Sequence, residues 1–308
     1  MISKNNKIFL AGHNGMAGSA ILKKLKNTGY KNIICVSKKK LNLLDQKKVE
    51  NFLKKKKPKV VIIAAARVGG ILANNNNKAS FLYENLTIQT NIIHGSYLAG
   101  VKNLIFLGSS CIYPKKTKQP IKEAFFMTGP LENTNDAYAI AKIAGVKMCI
   151  EYSKQFKLNY KTLMPANMFG ANDNYDLNSS HFFPALIKKI HNAKIKKKNF
   201  ITLWGNGKAK RELLYVEDFA DACVFFMRKK TKESFINIGS GVEKTIKGFA
   251  QYIMKKLDVN LKIKYDLTKP NGMQRKKLDL SISKKYGWKS KTNLDEAFEK
   301  VYLDYLKN

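Results

Sequence analysis

Tyr138 and Lys142 stand four residues apart in Tyr138-Ala139-Ile140-Ala141-Lys142, a spacing that on a helix puts both side chains on one face, able to project into one cleft. An ammonium beside a phenol lowers the phenol's pKa and can bind a ribose, so the pair suits proton transfer to or from a substrate oxygen. Tyr-x-x-x-Lys alone recurs by chance in many helices. Here Ser109-Ser110-Cys111 follows an apolar run, so that Ser109 stands where a hydroxyl can hold the same oxygen.

A second motif is Gly12-His13-Asn14-Gly15-Met16-Ala17-Gly18, directly after the first apolar run. Glycines at a strand-to-helix turn let the backbone approach a pyrophosphate, and the helix start supplies free N–H groups and partial positive charge. The spacing G-x-x-G-x-x-G is the form typical of short-chain dehydrogenases. After the second run, where an Asp or Glu would bind the ribose 2′-hydroxyl of NAD, the sequence has Ser37, Lys38, Lys39 and Lys40. The missing carboxylate and the cations both point to the 2′-phosphate of NADP.

These residues need a frame. Short, near-continuously apolar runs at Lys7 to Ala11, Asn32 to Val36, Lys59 to Ala64, Asn103 to Leu107 and Lys161 to Met164 read as strands buried on both faces. Helices Ser19 to Thr28, Ala79 to Ala99 and Ala137 to Phe156 lie between them, the first two followed by Gly29 and Gly100 as left-handed caps. The alternation predicts an α/β, doubly wound parallel (Rossmann) sheet. Beyond Gly170 an Asn/Asp/Ser-rich loop leads to a helix at His181 to Asn192. Strands near Phe200 to Trp204 and Phe235 to Ile238, a strand-helix unit at Glu212 to Met227, and helices at Thr245 to Leu257 and Leu294 to Leu306 follow. We expect residues 1–170 to bind the dinucleotide, with a return at about 212–240, and 171–308 to form a smaller α+β substrate lobe packed against them.

The chain has 308 residues, 44% of them hydrophobic, enough for a substantial core. Its net charge of +35 would suit nucleic acid, but only four of the 57 basic residues are Arg, the side chain suited to bidentate recognition. The lysine runs 38–40, 54–57 and 194–198 read as solvated faces, part of a field that draws in small anions, and no nucleic-acid partner is expected. The longest purely apolar run, Val60 to Ala66, is too short for a span, and no signal peptide precedes Lys7, so a cytoplasmic protein without membrane contact is expected. Cys35, Cys111, Cys149 and Cys223 lack paired or metal-ligand spacing, and neither a disulfide framework nor a metal is expected.

The segments Ala11-Gly12-His13, Leu41-Asn42-Leu43-Leu44-Asp45, Ala64-Ala65-Ala66-Arg67-Val68-Gly69-Gly70-Ile71, Gly108-Ser109-Ser110-Cys111-Ile112-Tyr113-Pro114 and Tyr138 to Gly145 resemble the GDP-L-fucose synthases, extended short-chain dehydrogenases/reductases. Asn178 to His181, Pro184 to Leu186, Trp204 to Gly207, Arg211-Glu212 and Lys269 to Gly272 continue the likeness over nearly the whole chain. That family converts GDP-4-dehydro-6-deoxy-D-mannose to GDP-L-fucose, epimerising C3 and C5 and reducing the C4 ketone with NADPH. Both carbons flank the carbonyl, so a base and an acid can invert each through an enolate.

The resemblance assigns Cys111 as base and His181 as acid, with Ser109 and Tyr138 stabilising the enolate oxygen before Tyr138 protonates it. It implies NADP(H) contacts by Gly12, His13, Asn14, Gly15, Met16, Ala17 and Gly18, and by Lys38, Lys39, Lys40, Leu41, Asn42 and Leu43. Further contacts would come from Leu107, Gly108, Ser109, Ser110, Lys142, Pro165, Ala166, Asn167, Met168 and His181. The GDP-sugar would meet Lys189, Trp204, Arg211 and Asn271. Extended reductases often pair through helices like Ala79 to Ala99 and Ala137 to Phe156, so a homodimer is expected.

Three positions depart from the family pattern. Asn14 replaces a common Arg and removes one contact to the 2′-phosphate, Asn271 replaces an Asp on the substrate side, and Lys189 trades a bidentate fork for a point charge. A 4-epimerase or 4,6-dehydratase is the competing enzyme reading; a dehydratase would place Asp-Glu beside the Ser/Thr and a 4-epimerase needs no thiol, so Cys111 argues against both. A non-catalytic sensor or RNA-binding protein is the third, against which both Tyr138 and Lys142 stand.

Overall fold

The structure, a computed structural model, describes residues 2–307. Its strands in chain order are β1 (Ile8–Ala11), β2 (Ile33–Ile34), β3 (Val60–Ile63), β4 (Asn103–Leu107), β5 (Asn159–Pro165), β6 (Asn167–Phe169), β7 (Phe200–Trp204), β8 (Lys210–Tyr215), β9 (Phe235–Ile238), β10 (Glu243–Thr245), β11 (Lys262–Asp266) and β12 (Arg275–Lys276). The helices are α1 (Met16–Asn27), α2 (Gln46–Lys56), α3 (Ile71–Asn76), α4 (Lys78–Leu98), α5 (Asp136–Phe156), α6 (Phe182–Ile195), α7 (Val216–Arg228), α8 (Ile246–Lys256), α9 (Ser281–Lys285) and α10 (Leu294–Tyr305).

Six parallel strands form the main sheet in the order β2-β1-β3-β4-β5-β9. Every residue of β1 and β3 is buried, as apolar runs covered by helices on both faces must be. Each large aliphatic side chain so buried contributes roughly 1.5–3 kcal/mol. The chain leaves β1 toward β2 on one side and returns as β3 on the other, so a crevice opens at the carboxyl ends of β1 and β3. Gly29 and Gly100 take φ of +84° and +73°, the left-handed conformation expected after α1 and α4. The second strand is shorter than its apolar text, because only Ile33 and Ile34 pair with β1.

The later segments divide their loyalties. β9 closes the main sheet beside β5, whereas β8 gathers β6, β10 and β12 into a second sheet, and β7 pairs with β11. Buried Glu212 ties this second sheet together: its carboxylate accepts from the amides of Gly241 (2.7 Å) and Leu278 (2.8 Å). Among the described residues no helix is long and apolar enough to cross a membrane.

Candidate active site

At the carboxyl end of β1, Gly12 takes φ +87° against the backbone of the residues after β3, where a Cβ would lie 2.4 Å from the Ala65 nitrogen. Gly18 is closer still: its Cβ would stand 2.0 Å from the Gly12 carbonyl oxygen, so the turn and the first turn of α1 touch backbone to backbone. No side chain caps α1, which leaves its first amides free for an anion. The Nδ1 of His13 is buried without a hydrogen-bond partner. A cradle with no room for a Cβ, open amides and an orphaned ring nitrogen fit the dinucleotide pyrophosphate.

Around this turn Asn14 and Gly15 are exposed, Met16 and Ala17 half-buried. Lys38, Lys39 and Lys40 are exposed on the turn after β2, closed by the Lys40 and Leu41 amides donating to the Ser37 carbonyl at 3.0 Å each. Leu41 is buried in the core, Asn42 Oδ1 accepts from the Leu44 amide, and the Leu43 carbonyl accepts from Asn91, so these three shape the turn from behind. Pro165 ends β5, the Ala166 amide donates to Ile238, Asn167 donates to the Glu212 carbonyl, and Met168 pairs with Leu214.

The carboxyl end of β4 carries Leu107, Gly108 and Ser109 into a single helical turn, Ser110–Ile112, capped when Ser109 Oγ accepts from the Cys111 amide at 3.2 Å. Gly108 allows this because a Cβ there would meet the Met164 side chain at 2.4 Å. Across the crevice, α5 brings Tyr138 and Lys142 to the same place, one turn apart on its first turns. Lys142 is buried; its Nζ donates to the Leu107 carbonyl at 2.8 Å and lies 4.6 Å from the Phe106 ring centroid and 5.8 Å from that of Tyr138.

The electrostatics of this cluster differ from the simplest expectation. Burial pushes the Tyr138 phenol above its ordinary range, the nearby Cys111 charge adds to the rise, and a hydrogen bond with Ser109 offsets only part of it. Lys142 is not among the groups that lower the phenol, and burial lowers its own ammonium to about 7. A phenol held protonated is a proton donor at neutral pH.

Cys111 shows the opposite balance. Burial raises its thiol, but the charge of Lys276, hydrogen bonds from Ser109 and Lys276, and the charge of Arg211 outweigh it, so the net shift is downward. Asn135, at the N-terminus of α5, donates Nδ2 to Cys111 Sγ at 3.2 Å. His181 precedes α6 as its cap residue; it is open to solvent at the crevice mouth, yet desolvation by the surrounding protein, with the charge of Lys276, lowers its imidazole. The charge of Lys276 thus acts on both Cys111 and His181, while that of Cys111 acts on Tyr138. One cluster forms around the mouth of the crevice.

On the outer side, Lys189 Nζ donates to the Thr202 carbonyl at 3.0 Å and lies 5.6 Å from the Trp204 ring centroid. Arg211, half-buried, is within electrostatic reach of Cys111. Asn271 turns its Oδ1 to the Asn206 amide at 2.8 Å and so fixes the turn after β7. Sequence reasoning missed Lys276 and Asn135. Asn135 stands three residues before Tyr138, a helical neighbour that the Tyr-x-x-x-Lys spacing could have flagged; Lys276 lies in a lysine-rich stretch with no distinguishing signal.

Comparison with known proteins now adds to the geometry. The model of the NAD dependent epimerase/dehydratase family matches residues 8–239. The chain is 47% identical over 308 residues to a protein named putative GDP-L-fucose synthase 2 from Arabidopsis thaliana, covering 100% of this chain and 94% of that one. It is 46% identical to a GDP-L-fucose synthase of Sinorhizobium fredii, covering 98% and 96%. Among solved structures it is similar to a GDP-L-fucose synthetase from Naegleria fowleri bound to NADP, with a TM-score of 0.90, 26% identity and coverage of 100% and 95%. The chain therefore belongs to the NAD dependent epimerase/dehydratase family, in its GDP-L-fucose synthase group.

Proposed function

We propose that this protein converts GDP-4-dehydro-6-deoxy-D-mannose to GDP-L-fucose, inverting C3 and C5 and then reducing the C4 ketone at the expense of NADPH. The observation that carries the reading is the meeting of a thiol, an imidazole, a protonated phenol and a hydroxyl at one crevice beside the dinucleotide cradle. The full-length likeness to GDP-L-fucose synthases supports it.

In this reading the sugar ring lies with its C4 oxygen between Ser109 and Tyr138. The Cys111 thiolate removes the proton beside the ketone, leaving an enolate whose oxygen the two hydroxyls hold, and His181 returns a proton to the opposite face. Cys111 then loses its proton to solvent and His181 regains one from it, and the same steps at the second carbon invert that centre too. NADP(H), when bound, supplies the hydride for C4. Tyr138 then gives its proton to the alkoxide oxygen; Lys142 orients the ribose and carries the positive charge that steadies the resulting phenolate.

The remaining residues bind. We assign the pyrophosphate to the turn from Gly12 to Gly18, the 2′-phosphate to Lys38, Lys39 and Lys40, and the GDP moiety to Lys189, Trp204 and Arg211. Asn271 acts by fixing the turn beside Trp204. Residues 171–308, apart from those that rejoin the main sheet, form the lobe that holds the nucleotide-sugar. Two copies pair through α4 and α5, on which Tyr83, Leu98 and Ile140 are exposed. The test is to supply the 4-keto GDP-sugar with NADPH or NADH and identify the product by NMR. GDP-L-fucose formed with NADPH, one equivalent oxidised per product, is expected; a C4-reduced sugar with unchanged C3 and C5 would make the protein a simple reductase.

A further inference from the structure

Cys111 Sγ accepts hydrogen bonds from Asn135 Nδ2 at 3.2 Å and from Lys276 Nζ at 3.4 Å. A protonated thiol is a weak acceptor, whereas a thiolate is a strong one that prefers a cationic donor. The surroundings of this sulfur are thus built for its anion.

Lys276 does not reach the sulfur by chance of a loose side chain. Its strand β12 pairs in parallel with β8, Lys276 against Arg211, and the flanking residues are clamped on both sides. The Arg275 guanidinium makes two bonds of 2.8 Å to the Glu243 carboxylate. The Lys277 amide donates to Gln119 Oε1 at 2.9 Å, and the Leu278 amide to Glu212. A backbone so held keeps the ammonium over the crevice.

We propose that Lys276, assisted by Asn135, is a positioning residue that holds Cys111 as a thiolate and so arms it as the base of the epimerisation. This inference rests on the reading of Cys111 given above. The groups that act on or are acted on by the sulfur are the hydroxyls of Ser109 and Tyr138, the Asn135 amide, the ammonium of Lys276 and the Arg211 guanidinium; the His181 imidazole shares the field of Lys276, and Glu132 acts on Arg211. The downward net shift of the thiol comes from Lys276, Ser109 and Arg211 acting against burial. The same ammonium also disfavours the charged imidazole of His181.

The test is the pH dependence of Cys111 alkylation by iodoacetamide, followed by mass spectrometry of the peptide that carries it, in the full-length wild type and in Lys276→Met and Lys276→Arg. Wild type should react with a midpoint below the ordinary thiol value of about 8.5. Lys276→Met should shift it upward by about 1 unit or more, a tenfold slower reaction at pH 7, and Lys276→Arg should restore most of the rate. A wild-type midpoint at or above the ordinary value, or an unshifted Lys276→Met, overturns the proposal, and the first outcome needs no variant to fold. Deuterium exchange at C3 and C5 that survives Cys111→Ser would overturn the base assignment instead, leaving the measured effect of Lys276 on the thiol intact.

Discussion

The amide of Gly70 donates to the carbonyl of Ser179 at 2.8 Å, joining the loop after β3 to the loop that presents His181. No side chain can intervene: a Cβ on Gly70 would stand 2.2 Å from the Ser180 carbonyl oxygen. Gly70 itself has φ −69°, so alanine is tolerated by the backbone and only the contact forbids it. Gly70→Ala should therefore displace the His181 loop, lowering C3/C5 proton exchange roughly ten- to a hundredfold. NADPH affinity, set by the turn after β1, should change little. Solvent deuterium exchange and a fluorescence titration of NADPH separate the two; equal losses would contradict this account.

Gly18→Ala is expected to act on the cofactor instead. With the Gly12 carbonyl oxygen 2.0 Å from the new Cβ, the turn must open, at a cost of about 1–3 kcal/mol. That corresponds to a loss of NADPH affinity of roughly ten- to a hundredfold if the strain falls on binding. Calorimetric titration measures it, and unchanged affinity would place the pyrophosphate elsewhere.

The lowered Lys142 sets a pH dependence. The unfolded chain holds this proton up to about 10.4, while in the folded protein burial releases it at about 7. Unfolding of the free protein therefore takes up a proton between those values, and stability rises with pH across that window. An anionic dinucleotide recharges the ammonium, so NADPH binding should take up a proton above pH 7 and none well below it. Affinity should weaken as pH climbs through the window. Calorimetry in buffers of different ionisation enthalpy reads the uptake, which Lys142→Met should abolish.

Asn14 is exposed beside the turn, with room for a longer side chain. Asn14→Arg should add a charge-assisted bond to a 2′-phosphate and raise the preference for NADPH over NADH by about tenfold. The ratio of kcat/KM for the two cofactors measures it. No change would mean that the exposed lysines 38–40 already saturate that contact.

The sequence made the main sheet legible because its strands are buried on both faces, so Val60–Ile63 and 104–107 are apolar without interruption. Ser109, Tyr138 and Lys142 were legible from spacing because one short segment carries each. The edge strands β10, β11 and β12 were not: Glu243, Lys264 and Arg275 are polar, and their pairing comes from contacts with β8 and β7 far away in sequence. Lys276 was hidden for the same reason. It lies 165 positions from Cys111, and the pairing of β12 with β8 and the Glu243–Arg275, Gln119–Lys277 and Glu212–Leu278 contacts bring it there. The charge balance was hidden as well, since burial, which no motif records, decides that Tyr138 is raised and Lys142 lowered.

The most direct test of a thiol and an imidazole acting on the ring that is later reduced is one turnover of the 4-keto GDP-sugar with NADPH in heavy water, read by NMR and mass spectrometry of the product. The account predicts GDP-L-fucose carrying solvent deuterium at both C3 and C5, and loss of that label with Cys111→Ser. A reduced product with protium at both carbons would contradict it.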